Sequence, residues 1–149
     1  MNIEKDFSEI AQYTHMWRWL PDWDVAEKIY KAFPDSYAVL TPFAYAYLEE
    51  LIRTLTSDYM IPVQDREGKE TNKKVGIKLI DLAIKENQDK ELIEILNEYK
   101  KYFGRIKITD KGNNRHAVNH AIMHPNSWTK EIFENLIHDI ARLSKYSRF

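Results

Sequence analysis

The sequence predicts an all-α protein, a single bundle of about five or six helices. Three observations predict it. Only four glycines and five prolines interrupt 149 residues, too few for many short strands joined by tight turns. Apolar residues recur at three- and four-residue steps over long stretches. Capping residues stand at the start of most of those stretches. The length suits one domain with a real core. Hydrophobic residues at 44% and charged residues at 30% give the balance of a soluble globular chain rather than a disordered one.

Taken in order, residues 3–20 read as a first helix rich in aromatics (Tyr13, Trp17, Trp19), ended by Pro21. Asp24 is expected to cap DVAEKIYKAF, with Glu27 in the capping-box position. Pro34-Asp35 breaks the chain. Thr41-Pro42 reads as an N-cap with proline in the first turn, opening a central helix over 42–59. There Ala44, Leu48, Leu51, Ile52, Leu55 and Tyr59 recur at helical spacing. Residues 61–70 form a polar loop. Thr71 is expected to cap a helix over 72–86, where Val75, Ile77, Leu79, Ile80, Leu82 and Ile84 make a broad apolar surface.

Asn87 or Asp89 restarts the chain into a helix to 103, with Leu92, Ile95, Leu96, Tyr99 and Phe103 on one side. Gly104 is a natural C-terminal cap. RIKITDKGNN is a basic connector with a short extended piece at 105–109. A short helix over 113–123 closes at His124-Pro125. The last helix spans 130–146, with Phe133, Leu136, Ile137, Ile140 and Leu143 or Ser144 inward. Trp17, Trp19 and Trp23 are expected in the core more than at a partner surface.

Composition narrows function. With no cysteine, disulfides, thiolate ligands and cysteine nucleophiles are excluded. No apolar run approaches the roughly 18 residues needed to span a bilayer, so no membrane partner is expected. MNIEKDFSEI carries acids where a signal peptide has a basic end. The expected location is cytoplasmic. Net charge is −1, which announces no global affinity for nucleic acid. Locally, Lys100, Lys101, Arg105, Lys107, Lys111 and Arg115 face only Asp110, a balance of +5.

That basic run leads into NNRHAVNHAIMHP, residues 113–125. Three readings of it stay open. His116, His120 and His124 fall four apart and can share a helix face, a spacing open to a zinc, nickel, copper or iron site. Pro125 disfavours helical geometry at His124, and no H-E-x-x-H pattern accompanies it. The candidate fourth ligands, Glu134, His138 and Asp139, sit on another helix. The second reading is ordinary packing, with Ala117, Val118, Ala121 and Ile122 inward. The third pairs Arg115 with His120. A guanidinium matches phosphate oxygens, and an imidazole can move a proton near neutral pH. Such a pair can promote attack of a ribose 2′-hydroxyl on its phosphate while stabilising the charge of the transition state. No cofactor is needed. On an ideal helix, however, residues five apart diverge by about 140°.

Arg115-His116-Ala117-Val118-Asn119-His120 resembles the R-x(4–6)-H signature of the HEPN superfamily, with His116 in the polar place after the arginine. Asn114-Arg115-His116-Ala117 followed by His120 is similar to the NRHA-x-x-H form of abortive-infection members, in which glycine commonly follows the histidine; this chain has Ala121. The resemblance covers about residues 35–146, leaving 1–34 as an aromatic N-terminal extension. It implies a HEPN-like bundle and metal-independent endoribonuclease activity in a toxin or phage-defence system. It further implies a homodimer whose two signatures meet at one cleft, RNA as substrate and a cognate antitoxin as a candidate partner. Arg115 and His120 are then the catalytic pair with His116 auxiliary. Asn114, Asn119, Lys107 and Lys111 are candidate RNA contacts, the lysines through phosphates. The family also includes inactive members that bind only nucleotides or partners.

Overall fold

The burial pattern of residues 37–54 sets the architecture. Ala44, Tyr45, Leu48, Leu51 and Ile52 are fully buried, and a helix this enclosed must have neighbours on most sides. The computed structural model describes all residues except Met1, Val63, Asn72, residues 106–110 and Ala121. The described residues form seven α-helices and no strand: α1 (Ile3–Tyr13), α2 (Leu20–Ala32), α3 (Tyr37–Thr54), α4 (Ile77–Glu86), α5 (Lys90–Tyr99), α6 (Arg115–Asn119) and α7 (Lys130–Ser144). The protein is all-α. Helix α3 runs centrally and meets α4, α6 and α7, while α1 lies along α7 and against α2.

Capping explains most helix starts. Asn2, Asp89, Asn114 and Thr129 each accept a backbone N–H from the first turn, which satisfies donors that the helix itself cannot. Several boundaries differ from the sequence expectation. The chain leaves α1 at Tyr13, and Pro21 sits inside the first turn of α2 rather than ending a helix, where its missing N–H costs nothing. Asp24 therefore lies within α2 and caps nothing.

Helix α3 begins five residues before Pro42 and ends at Thr54. Burial of Leu40 and Thr41 carries the helix through the proline, and the Thr41 hydroxyl donates to the Tyr37 carbonyl at 2.7 Å. Helix α4 starts at Ile77 behind Gly76, not behind Thr71, and Val75 is exposed. After Tyr99 the chain tightens into a 3-10 turn, Lys100–Phe103, and Gly104 has φ −72°, not the left-handed cap geometry. The expected extended piece at 105–109 falls largely outside the described residues.

The N-terminal helices share the one core: Phe7, Ile10, Trp23, Ala26 and Tyr30 cluster with Phe133, Leu136 and Ile140 of α7. Trp23 packs edge-on against Phe7, Phe43 and Tyr47, and Trp19 is half-buried, whereas Trp17 is exposed. The Tyr30 hydroxyl donates to Glu134 at 2.6 Å, joining α2 to α7.

The start of the basic connector is anchored by Asp139, a buried carboxylate on α7. Its Oδ2 accepts from the Tyr102 hydroxyl at 2.6 Å and from Lys101 Nζ at 2.7 Å. The Tyr99 hydroxyl donates to the Asp139 carbonyl. Burial, with the Asp139 charge adding to it, pushes both phenols well above the ordinary 10.0. A phenol whose folded pKa is raised contributes stability that is whole below its unfolded pKa and lost as pH climbs past it.

Two outcomes are expected. Tyr102→Phe leaves a buried carboxylate short of one donor and lowers stability by about 1–3 kcal/mol, read from the denaturant midpoint. Wild-type stability declines as pH rises above about 10. A stability profile flat through that range, followed by chemical denaturation, would contradict the tyrosine assignment.

Candidate active site

The approach to α6 is fixed before the helix begins. Gly112 has φ +94°, and a Cβ there would stand 3.0 Å from Trp128 Cβ, so only glycine fits without strain. Its carbonyl accepts from the buried Tyr45 hydroxyl at 2.8 Å. The Thr129 N–H donates to the Lys111 carbonyl at 3.2 Å, which ties this loop to the start of α7. Asn114, itself buried, then caps α6: its Oδ1 accepts from the Ala117 N–H at 3.0 Å, and its Nδ2 donates to the Gly104 carbonyl at 3.0 Å. Its amide thus serves the fold at both ends.

Helix α6 is only five residues long, not the eleven of the expected 113–123. Ala117 and Val118 are buried, as expected of packing residues, while His116, Asn119 and His120 are exposed; Ile122, expected inward with them, is exposed because the helix ends before it. Arg115, at the first helical position, turns toward α3, where Nη2 lies 2.6 Å from Glu49 Oε2. The Glu49 side chain is only 9% exposed. A carboxylate so enclosed needs a cation, and two approach it, since Arg53 Nη2 stands 3.6 Å from Oε1. Arg53 also donates to the Lys74 carbonyl at 2.9 Å, holding the segment before α4.

That segment walls a cleft of about 440 Å³, lined by Val75, Gly76, Ile77, Phe103, Gly104, Arg105, Arg115 and His116. Its sides are largely aliphatic and aromatic, with two guanidiniums and one imidazole among them. His120 follows α6 as its C-terminal cap at φ −102°, ψ 10°. Its N–H still donates to the His116 carbonyl at 3.1 Å, and the four-residue step places its ring centroid 4.3 Å from that of His116. Arg115 and His120 are therefore linked through His116, which shares the cleft with the arginine and the ring contact with the histidine. Lys111 is exposed; Lys107 and Ala121 lie outside the described residues.

His124 plays a different part. Its Nδ1 accepts the Asn126 N–H at 3.2 Å and caps the 3-10 turn Pro125–Ser127. Among the described residues no three histidine, aspartate or glutamate side chains form a group able to hold a metal ion. Nor does any described helix have the length and apolarity to cross a membrane.

Two positions that build the candidate site escape a reading by motif: Glu49 and Arg53, more than sixty residues before the signature. A signal for Glu49 existed, because a carboxylate between Tyr45, Leu48 and Ile52 stands at the edge of the apolar arc of α3, where charge is rare unless paired.

No family model, curated protein or solved structure matches the chain. The site thus rests on its own geometry.

Gly112→Ala is expected to lower stability by about 1–3 kcal/mol from backbone strain alone, with more from the Trp128 clash. Thermal unfolding of that variant checks it, and a melting point equal to wild type would remove Gly112 from the devices that hold α6.

Proposed function

We propose that this chain is a metal-independent endoribonuclease of the HEPN type, acting in a toxin or phage-defence setting. The observation that carries the reading is the convergence on one short helix end. Arg115 lies at a cleft with His116, and the His120 ring packs tilted against that of His116, their centroids 4.3 Å apart. An RNA phosphate entering this cleft meets the guanidiniums of Arg105 and Arg115. Glu49 takes one Nη of Arg115 and Nε is buried, so the other Nη serves the phosphate. Glu49 is a positioning residue in this scheme.

His120 takes the 2′-hydroxyl proton. The freed oxygen attacks the adjacent phosphorus, the P–O5′ bond breaks with the 5′-oxygen taking a proton from water, and a 2′,3′-cyclic phosphate remains. His116 orients the second imidazole. Asn119 and Lys111, both exposed, are outer RNA contacts, as is Lys107 by its sequence position. A second copy of the chain supplies the opposing signature, and a cognate antitoxin is the natural inhibitor of such an activity.

The Arg115–Glu49 pair also favours a second reading, a non-catalytic module that binds a nucleotide. A cation already neutralised by a buried carboxylate is a stable anchor for a ligand and a weaker stabiliser of developing charge.

RNA cleavage in EDTA, with end-group analysis, separates the two. The nuclease reading expects cyclic-phosphate ends and a loss of about 10²–10⁴-fold in rate for His120→Ala, with the helical spectrum unchanged. Arg115→Ala is a poorer probe, because it strands Glu49 and destabilises by about 3–5 kcal/mol. Nucleotide binding without turnover, unmoved by His120→Ala, sinks the nuclease reading.

A further inference from the structure

Three carboxylates are buried among the described residues: Asp6, Glu49 and Asp139. Glu49 and Asp139 each meet a cation and hold the fold together. Asp6, on α1, keeps different company. Its Oδ1 lies 3.1 Å from Nδ1 of His138 on α7, and its Oδ2 is buried with no hydrogen-bond partner among the described residues. A carboxylate buried against a single imidazole costs stability relative to an apolar pair, so the packing of α1 on α7 does not account for it. Proton transfer does. A carboxylate only accepts, which puts a proton on Nδ1 and, in the neutral ring, leaves the lone pair on Nε2. The Asp6 side chain is 8% exposed and that of His138 45%. The pair thus has a buried, orienting end and an open, basic one.

His138 borders a cavity of about 290 Å³ between the turn after α5, the loop before α6 and α7, with Lys101, Asn113, Ile132 and Asn135 in its lining. Donors gather there. Lys101 Nζ lies 2.7 Å from Asp139 Oδ2 and 4.7 Å from the Tyr102 ring centroid, and an ammonium has three N–H groups to give. Asn113 Oδ1 accepts the Lys111 N–H at 3.1 Å, which leaves its Nδ2 to donate. The exposed Asn135 amide makes no hydrogen bond among the described residues. Ile132 adds an apolar wall beside these polar groups. Charge decides what the cavity takes. Lys101 is offset by Asp139, and Asp6 stands behind His138, so the walls hold no surplus of positive charge for a phosphate. An uncharged group whose oxygen gains charge during reaction fits better. His138 also borders a groove between α1 and α7, but there Lys145 is already paired with Glu9 at 3.2 Å.

We propose that this cavity is a catalytic site separate from the Arg115–His120 cleft, in which His138, oriented by Asp6, is the general base for hydrolysis of a small uncharged carboxylic ester. Nε2 of His138 takes a proton from a water molecule, and the hydroxide oxygen bonds to the ester carbonyl carbon. The C=O π pair moves onto oxygen, where Lys101, Asn113 and Asn135 donate to it. That pair then returns, the C–O bond to the alcohol breaks, and the alcohol oxygen takes the proton from His138, leaving acid and alcohol. Asp6 acts through His138 and is a positioning residue. The two cavities share no lining residue, and the proposal does not rest on the nuclease reading.

Steady-state hydrolysis of phenyl acetate by the full chain, followed through acid release, tests it. Wild type is expected to turn the ester over with saturation. His138→Ala lowers kcat by about 10²–10⁴-fold. Asp6→Asn lowers kcat over a similar range with KM and helical content unchanged, a split that a loosened α1 does not give. Asn135→Ala, at an exposed position where folding is not at stake, lowers kcat by about 10²-fold. Turnover no faster than that of the heat-unfolded chain overturns the proposal. So does turnover that His138→Ala or Asp6→Asn leaves at the wild-type kcat.

Discussion

A carboxylate enclosed in the protein interior without a cation costs several kcal/mol, and the placement of Glu49 makes that cost central to this structure. Glu49 lies on α3, the helix that most of the core surrounds, and its two oxygens face Arg115 and Arg53 at 2.6 and 3.6 Å. The first contact draws α6 onto α3. The second, through the hydrogen bond from Arg53 to the Lys74 carbonyl, fixes the opposite wall of the cleft. Without that charge, α6 would be a five-residue helix held by Ala117, Val118 and a cap. Helices so short have little stability of their own.

The same interaction shapes the chemistry. A guanidinium bound on one edge to a buried carboxylate is held in place and partly neutralised. It is well suited to receive a phosphate in a fixed orientation, at some loss of positive potential, and Arg105 on the same cleft offsets that loss. The histidines lie on the open side, one in the cleft and one packed beside it. Anchoring charge toward the core and proton-transfer groups toward solvent divides the labour by burial. Val75, Ile77 and Phe103 make the walls of the cleft largely aliphatic and aromatic.

Asp139 plays the corresponding part for the connector. It gathers Lys101 and Tyr102 at the end of α5, so the basic run leaves the bundle from a fixed point. Tyr45 and Trp128 hold Gly112 where the run returns. The motif loop is thus clamped at both ends by buried groups of α3 and α7, and the candidate site inherits its position from the core rather than from the loop. The aromatic N-terminus completes that core through Phe7, Trp23 and Tyr30. It also exposes Val25, Ile29 and Phe33 on the far side of α2.

Much of the helical plan was legible in sequence order, because periodic apolar residues and side-chain caps are local signals. Asp89, one of the two starts expected there, caps α5, and Phe133, Leu136, Ile137 and Ile140 face inward as expected. Arg115, His116 and His120 were legible as a candidate group. Boundaries at Pro21, Pro42 and Gly76 were not, since burial of distant partners decided whether a helix ran through a breaker or stopped short of it. Nor was the company Arg115 keeps. By itself the sequence determined the all-α class, the caps and the residue types at the motif. Only the tertiary structure brought Glu49 and Arg53 to that motif, cut the motif helix to five residues, and left one face of α2 open. Pairing a buried charge is a relation across more than sixty residues of chain, and local periodicity carries no record of it.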